Sequence, residues 1–309
     1  MTKKIRLLFK GISIFCLIFF LAVGLSGCTA TRHAIQRTAI PMLDTSVDDL
    51  VDKLLRQKNG DFIVDGFPGA LLVITGLTEL APNDYNLLAT TSFLYAAYGL
   101  SVEDKDPNYA ISLYRVGTEY GLRAMKVNNS KFRKALESGA SVVDVVKYLT
   151  KDDLKGLTWY GANIAKRCTL QISTPEEIMD VQNCIATAKR SIELDPKYAW
   201  GANWMILGVF YALVPAFGGL GSGPEASREA FDNGNKAENG DFGMIDVMAA
   251  RYLAPRIKDS KWYDELNNRV IEMDSCKLGG GLCILNEISK QKAQYNTKHK
   301  GQWFDYYNE

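Results

Sequence analysis

From about residue 44 to the end of the chain, apolar side chains recur at spacings of three and four, and strand-like alternation is scarce. This periodicity predicts helices over 46–58, 66–80, 84–99, 107–128, 153–171, 176–194, 198–213, 224–238, 243–253, 260–273 and 283–297. The breaks between them carry start and stop chemistry: Ala81-Pro82-Asn83-Asp84, Asp106-Pro107, Ser173-Thr174-Pro175 before Glu176 and Glu177, and Asp195-Pro196. Proline at a first helical position and acids in a first turn are what a helix N-terminus favours. Helices of this length joined by short turns pack as antiparallel neighbours, so the predicted fold is all-α, a solenoid of helical hairpins.

The hairpins have a degenerate tetratricopeptide-like signature. Trp204, Leu207, Gly208 and Tyr211 match the W-x2-L-G-x2-Y of a first helix, and Leu88, Thr91, Ser92 and Tyr95 occupy the same offsets after Pro82. Second-helix spacing is kept by Ala70, Ile74 and Pro82 and by Cys184, Ala188, Ser191 and Pro196, whereas Ala110, Tyr114 and Gly117 lack the closing proline. The alternative is a generic helical domain with chance matches.

The N-terminus has a separate logic. Lys3, Lys4, Arg6 and Lys10 precede an apolar stretch from Ile12 to Leu25. Its length would span only about 21 Å as a helix, short of a bilayer and suited to a signal peptide. Leu25-Ser26-Gly27-Cys28 resembles the bacterial lipobox, which predicts a signal over 1–27, lipidation at Cys28, a tether over 28–43 and one helical domain over 44–309. Thr29, in place of an inner-membrane retention aspartate, predicts a periplasmic protein held by lipid alone on the inner leaflet of the outer membrane.

Composition narrows the chemistry. With 47% hydrophobic and 23% charged residues the 309-residue chain is globular, and 36 basic against 35 acidic residues leave no surplus for neutralising nucleic-acid phosphates. Losing the signal leaves the body mildly acidic. His33 and His299 are the two histidines, one in the tether and one near the C-terminus, which disfavours triad chemistry and histidine metal sites. No phosphate loop is present, and Gly218–Gly223 lies between helices before Pro224, reading as a connector rather than a dinucleotide fingerprint. Acidic pairs fall at helix starts and do not converge. The expectation is a protein that is not an enzyme and has neither cofactor nor metal.

Four cysteines remain in the body. Cys276 and Cys283 flank a glycine-rich loop and are the candidate disulfide. Cys168 and Cys184 are expected to be offset by roughly 7 Å along antiparallel helices, outside disulfide geometry. Cys184 occupies a small-residue position, where a buried inert thiol is expected.

The positions that line a tetratricopeptide groove select Asn86, Ala89, Phe93, Ala96, Ala97, Ala202, Met205, Val209, Ala212 and Leu213, nearly all apolar. Such a groove suits a hydrophobic ligand; equally, these residues could be core covered by later helices. Aromatics cluster at Trp159, Tyr160, Trp200, Trp204, Phe210, Tyr211 and Phe217, and the tail Gln302–Tyr307 holds four more.

Several segments, taken in order, resemble the T component of tetratricopeptide-associated TRAP transporters, the TatT family. They are Asp65–Leu72 with Gly76, Leu77 and Pro82; Leu157–Asn163; Leu194 to Tyr211; Gly218-Gly219; Tyr252–Arg256; and Asn286 with Lys292-Ala293. The body cysteines and the aromatic tail depart from the family pattern. The resemblance implies a homotrimer partnered by a TRAP-type periplasmic solute-binding protein and handling a hydrophobic or organic-acid small molecule. The resemblance carries over no ligand-contacting motif, and the candidate groove residues, taken from this sequence itself, are Phe93, Trp159, Tyr160, Asn163, Trp204, Met205, Val209 and Leu213. The rival reading is a structural adaptor lipoprotein of the envelope that binds protein partners only.

Overall fold

The computed structural model describes residues 40–171, 175–213, 222–237, 240–277 and 282–305. The signal segment, Cys28, His33, Phe217, most of the glycine-rich connector and the last residues of the aromatic tail lie outside them. The chain divides into two compact units, 1–47 and 48–309. Among the described residues every regular element is helical.

Helix α1 (Ile40–Leu55) precedes α2 (Gly60–Leu80), α3 (Tyr85–Val102), α4 (Pro107–Asn128), α5 (Ser130–Glu137), α6 (Leu154–Gln171) and α7 (Pro175–Leu194). After them come α8 (Ala202–Leu213), α9 (Pro224–Ala237), α10 (Gly243–Met248), α11 (Ser260–Glu272), α12 (Cys283–Lys298) and α13 (Lys300–Asp305). Short side chains set many of the starts. Asn59, Asp84, Asp106, Asn129 and Asp259 each accept a hydrogen bond from the backbone N–H three residues on, satisfying a donor that the first turn leaves free.

Consecutive helices pack on each other, and the first helix of one hairpin also packs on the first of the next: α3 on α4 and α6, α6 on α7 and α8, α8 on α9. Glycines permit the close approaches. A Cβ on Gly121 of α4 would lie 2.8 Å from the Tyr160 Cα in α6, and one on Gly208 of α8 would lie 2.9 Å from the Phe231 ring in α9. One core, including Leu157, Ile164, Ile185, Leu207 and Phe210, fills the space among α6, α7 and α8. A second, including Val209, Phe231, Met244, Met248, Tyr263 and Ile288, gathers α8 to α12. Helix α8 serves both cores from different faces, so it joins the two halves of the molecule.

The structure departs from the sequence expectations at four places. The stretch 129–152, for which the periodicity predicts no helix, holds α5 and further helical turns over Val142–Val145 and Val146–Tyr148. Helix α2 begins at Gly60, before the predicted start at 66, because Asn59 caps it there, and it continues through Pro68. The expected helix over 198–213 starts at Ala202; before it Ala199 (φ 51°), Trp200 (φ 59°) and Gly201 (φ 80°) form a left-handed turn. Finally, the Cys168 and Cys184 sulfurs lie buried 3.8 Å apart, closer than the expected stagger implies, although no disulfide joins them, as expected. Side chains tilt toward their own helix N-terminus, so Cys168 leans away from the α6–α7 turn and Cys184 leans toward it, which closes the backbone stagger. Cys276 and Cys283 are joined by a disulfide.

Candidate functional site

Three helices turn a narrow face to one place. Phe93, Ala96, Ala97 and Leu100 repeat at helical spacing on α3, Trp159, Ala162, Lys166 and Thr169 on α6, and Ala202, Met205 and Val209 on α8. Between them lies a cavity of about 90 Å³, covered by Phe242, Met244, Met248, Tyr252 and Leu285 from later elements. Both readings of the apolar groove therefore meet here: later helices cover it, and space remains beneath them. The space follows from side-chain size, since alanines on all three helices leave a gap between larger neighbours such as Phe93 and Trp159, whose rings are 4.4 Å apart. An apolar wall of this kind leaves a hydrocarbon or aromatic body little to lose on desolvation.

Trp200 reaches the cavity from the left-handed turn, and its ring lies 6.0 Å from that of Phe242. A non-glycine residue at positive φ costs roughly 1–2 kcal/mol, so neighbouring structure must hold Ala199 and Trp200 in place. Gly201 is required in this turn: a Cβ there would meet the Gly234 carbonyl oxygen at 2.7 Å.

Of the eight candidate groove residues, Phe93, Trp159, Met205 and Val209 line the cavity, together with Ala96, Ala97 and Ala202 from the groove positions and Trp200 and Phe210 from the aromatic cluster. Tyr160, one residue round the helix from Trp159, packs toward Gly121 of α4. Asn163 also turns to the α3–α4 side, where its Nδ2 donates to the Ser92 carbonyl at 3.0 Å and to the Trp159 carbonyl at 2.8 Å. The Trp204 indole points away and donates to the Pro196 carbonyl at 3.1 Å. Leu213 lies one turn beyond the cavity and packs against the C-terminal core.

A cluster of charges adjoins the wall. Lys166 lines the cavity while its ammonium sits 2.8 Å from Glu103 Oε1. Glu103, just past the end of α3, also accepts from Lys292 at 2.7 Å and from the Tyr114 hydroxyl at 2.6 Å. Asp104 accepts from Lys292 and Arg251, each at 2.9 Å, and Arg251 donates through Nε to Asn296. A π-helical turn, Ala249–Leu253, carries both Arg251 into this cluster and Tyr252 to the cavity wall. Such a turn holds an extra residue and re-aims its side chains. Burial alone would raise the Glu103 carboxyl, but Lys166, Lys292 and Arg251 outweigh it and hold it down at about 2. For Lys292 burial prevails over the attraction of Glu103, and its ammonium is pushed down.

Sequence reasoning missed this cluster because its members lie on four separate elements. Two of them stand in or beside segments that carry the family resemblance: Lys292 itself, and Arg251, which adjoins Tyr252–Arg256 and completes the pairing. Asn286, from the same resemblance, is structural: its Oδ1 accepts from the Gly243 N–H at the start of α10 at 3.0 Å.

A family model described as the TRAP transporter T-component matches residues 57–304. The chain is also similar to a protein of Treponema pallidum (strain Nichols) described as uncharacterized, 21% identical over 321 residues that cover 95% of this chain and 98% of that one.

Proposed function

Because the chain belongs to the TRAP transporter T-component family, and so serves a TRAP transport system as an accessory component, we propose that it is the subunit that holds the small molecule being moved. The ligand, hydrophobic or an organic acid, occupies the cavity bounded by α3, α6, α8 and α10 and passes between this subunit and a TRAP-type periplasmic solute-binding protein. The observation that carries this reading is the convergence of three apolar helix faces on an alanine-lined space with aromatic sides. The hairpins α3–α4, α6–α7 and α8–α9 are read as degenerate tetratricopeptide-like repeats whose concave side is this cavity. The family is one of transport accessory components, which supports a ligand-handling role.

The chain works as a homotrimer tethered by lipid at Cys28 to the periplasmic side of the outer membrane. Helix α2 supports self-association. It is the described helix long and apolar enough to cross a membrane by length and composition, and Phe62, Leu72, Val73 and Leu80 form an exposed stripe on it, with Leu72 73% exposed. A stripe of this kind on a packed domain suits a protein contact.

A native mass spectrum of the full chain tests the proposal. The expected result is a trimer with extra mass from a copurified apolar molecule, lost in the Phe93→Asp, Val209→Asp double variant. A chain that carries no such molecule and binds only protein partners would support the structural adaptor instead.

A further inference from the structure

The charges at the end of the cavity do not balance. Three cations, Lys166, Arg251 and Lys292, share two carboxylates, Glu103 and Asp104, among the described residues. Without Lys166 both carboxylates keep short contacts: Lys292 bridges them, Arg251 holds Asp104, and the Tyr114 hydroxyl holds Glu103. Lys166 is thus the surplus cation, and it is the one whose side chain lines the cavity. Arg251 and Lys292 are each 3% exposed and fixed between other groups, whereas Lys166 is 15% exposed. A charge away from water is costly unless it is paired, and a flexible lysine stem can carry its ammonium from one carboxylate to another.

We propose that Lys166 is the headgroup residue of the ligand site and that the ligand is an amphiphile with one carboxylate. Its hydrocarbon or aromatic body lies against Phe93, Trp159 and Val209. Its carboxylate takes the Lys166 ammonium, which leaves Glu103 to Lys292 and Tyr114. One surplus positive charge matches one negative charge, so a neutral ligand leaves it uncompensated and a dianion overshoots it. A carboxylate is a small monoanion attached directly to carbon, which suits a wall that is otherwise nearly all carbon. The assignment rests on reading the cavity as the ligand site and adds the headgroup class and the residue that selects it.

Calorimetric titration of the full chain at neutral pH with octanoate, 1-octanol and octylammonium separates the two. The expected order is octanoate tighter than octanol by about tenfold or more, as one desolvated charge pair allows, and octylammonium weakest. Lys166→Met should bring octanoate down to the octanol value, while Lys166→Arg keeps the preference for the acid. Equal binding of octanoate and octanol by the unaltered chain would overturn the headgroup assignment and leave the apolar site standing. Binding of neither would overturn the cavity reading itself, and the headgroup assignment with it.

Discussion

Two neighbouring regions of this molecule are built by opposite means. The cavity wall is apolar, periodic and made from faces of single helices; the charge cluster beside it is polar, aperiodic and assembled from Glu103, Asp104, Lys166, Arg251 and Lys292 on separate elements. The wall can tolerate small changes of volume, because a cavity is already there. The cluster cannot tolerate the loss of an anion, because each carboxylate offsets more than one buried cation. They touch through Lys166 and Tyr252, and a ligand with both an apolar body and an acid group would engage both.

The largest expected effect comes from breaking the cluster. Glu103→Leu leaves three cations around Asp104 alone and should lower unfolding free energy at neutral pH by about 3–5 kcal/mol, measured by chemical denaturation. Acid should abolish that difference. Since the Glu103 carboxyl is depressed to about 2 from an ordinary 4.5, its contribution is fully present above 4.5 and is lost as pH falls from 4.5 toward 2. The original chain and the variant should therefore converge across that window. Removing a cation is the contrast: Lys166→Met equalises the charges, and its stability should stay within about 1 kcal/mol of the original or rise.

Helix packing gives the next effect. Gly121→Ala adds a methyl against the Tyr160 backbone and should cost about 1–3 kcal/mol, despite alanine's better helix propensity. On the cavity side, Ala96→Leu fills space instead of overpacking, so stability should change by no more than about 1 kcal/mol. Octanoate and octanol binding should nevertheless fall together, a pattern distinct from the acid-selective loss of Lys166→Met. The smallest effect is expected from Ala199→Gly. Relief of the left-handed strain outweighs glycine's added chain entropy, so a gain of at most about 1 kcal/mol should appear as a modest rise in Tm.

The same contrast explains what is legible in the chain. The helical periods of α3 and α8 are enough to put Phe93, Met205 and Val209 on one inward face, and proline and aspartate between the predicted helices fix most boundaries. Tyr160 and Trp204 belong to the aromatic cluster and Asn163 to a segment of the family resemblance, but each sits on the wrong side of its helix. Position around the axis, not distance along the chain, decides what a helical residue meets. Trp200 is legible as an aromatic and not as part of a left-handed turn, because Ala199 and Trp200 are residues that ordinarily avoid positive φ. The cluster has no local signal: Asp104 and Arg251 are separated by 147 residues, and a pairing across that distance is set by how the hairpins stack.

The most direct test of a ligand in this cavity is tryptophan fluorescence of the full chain titrated with 8-bromooctanoate. Trp159 and Trp200 line the cavity, whereas Trp204, Trp262 and Trp303 do not. A ligand held against these two indoles predicts saturable quenching that unbrominated octanoate competes away and that largely disappears in the Trp159→Phe, Trp200→Phe double variant. Quenching that stays non-saturable, or that survives in the double variant, would contradict this and place the ligand elsewhere on the molecule.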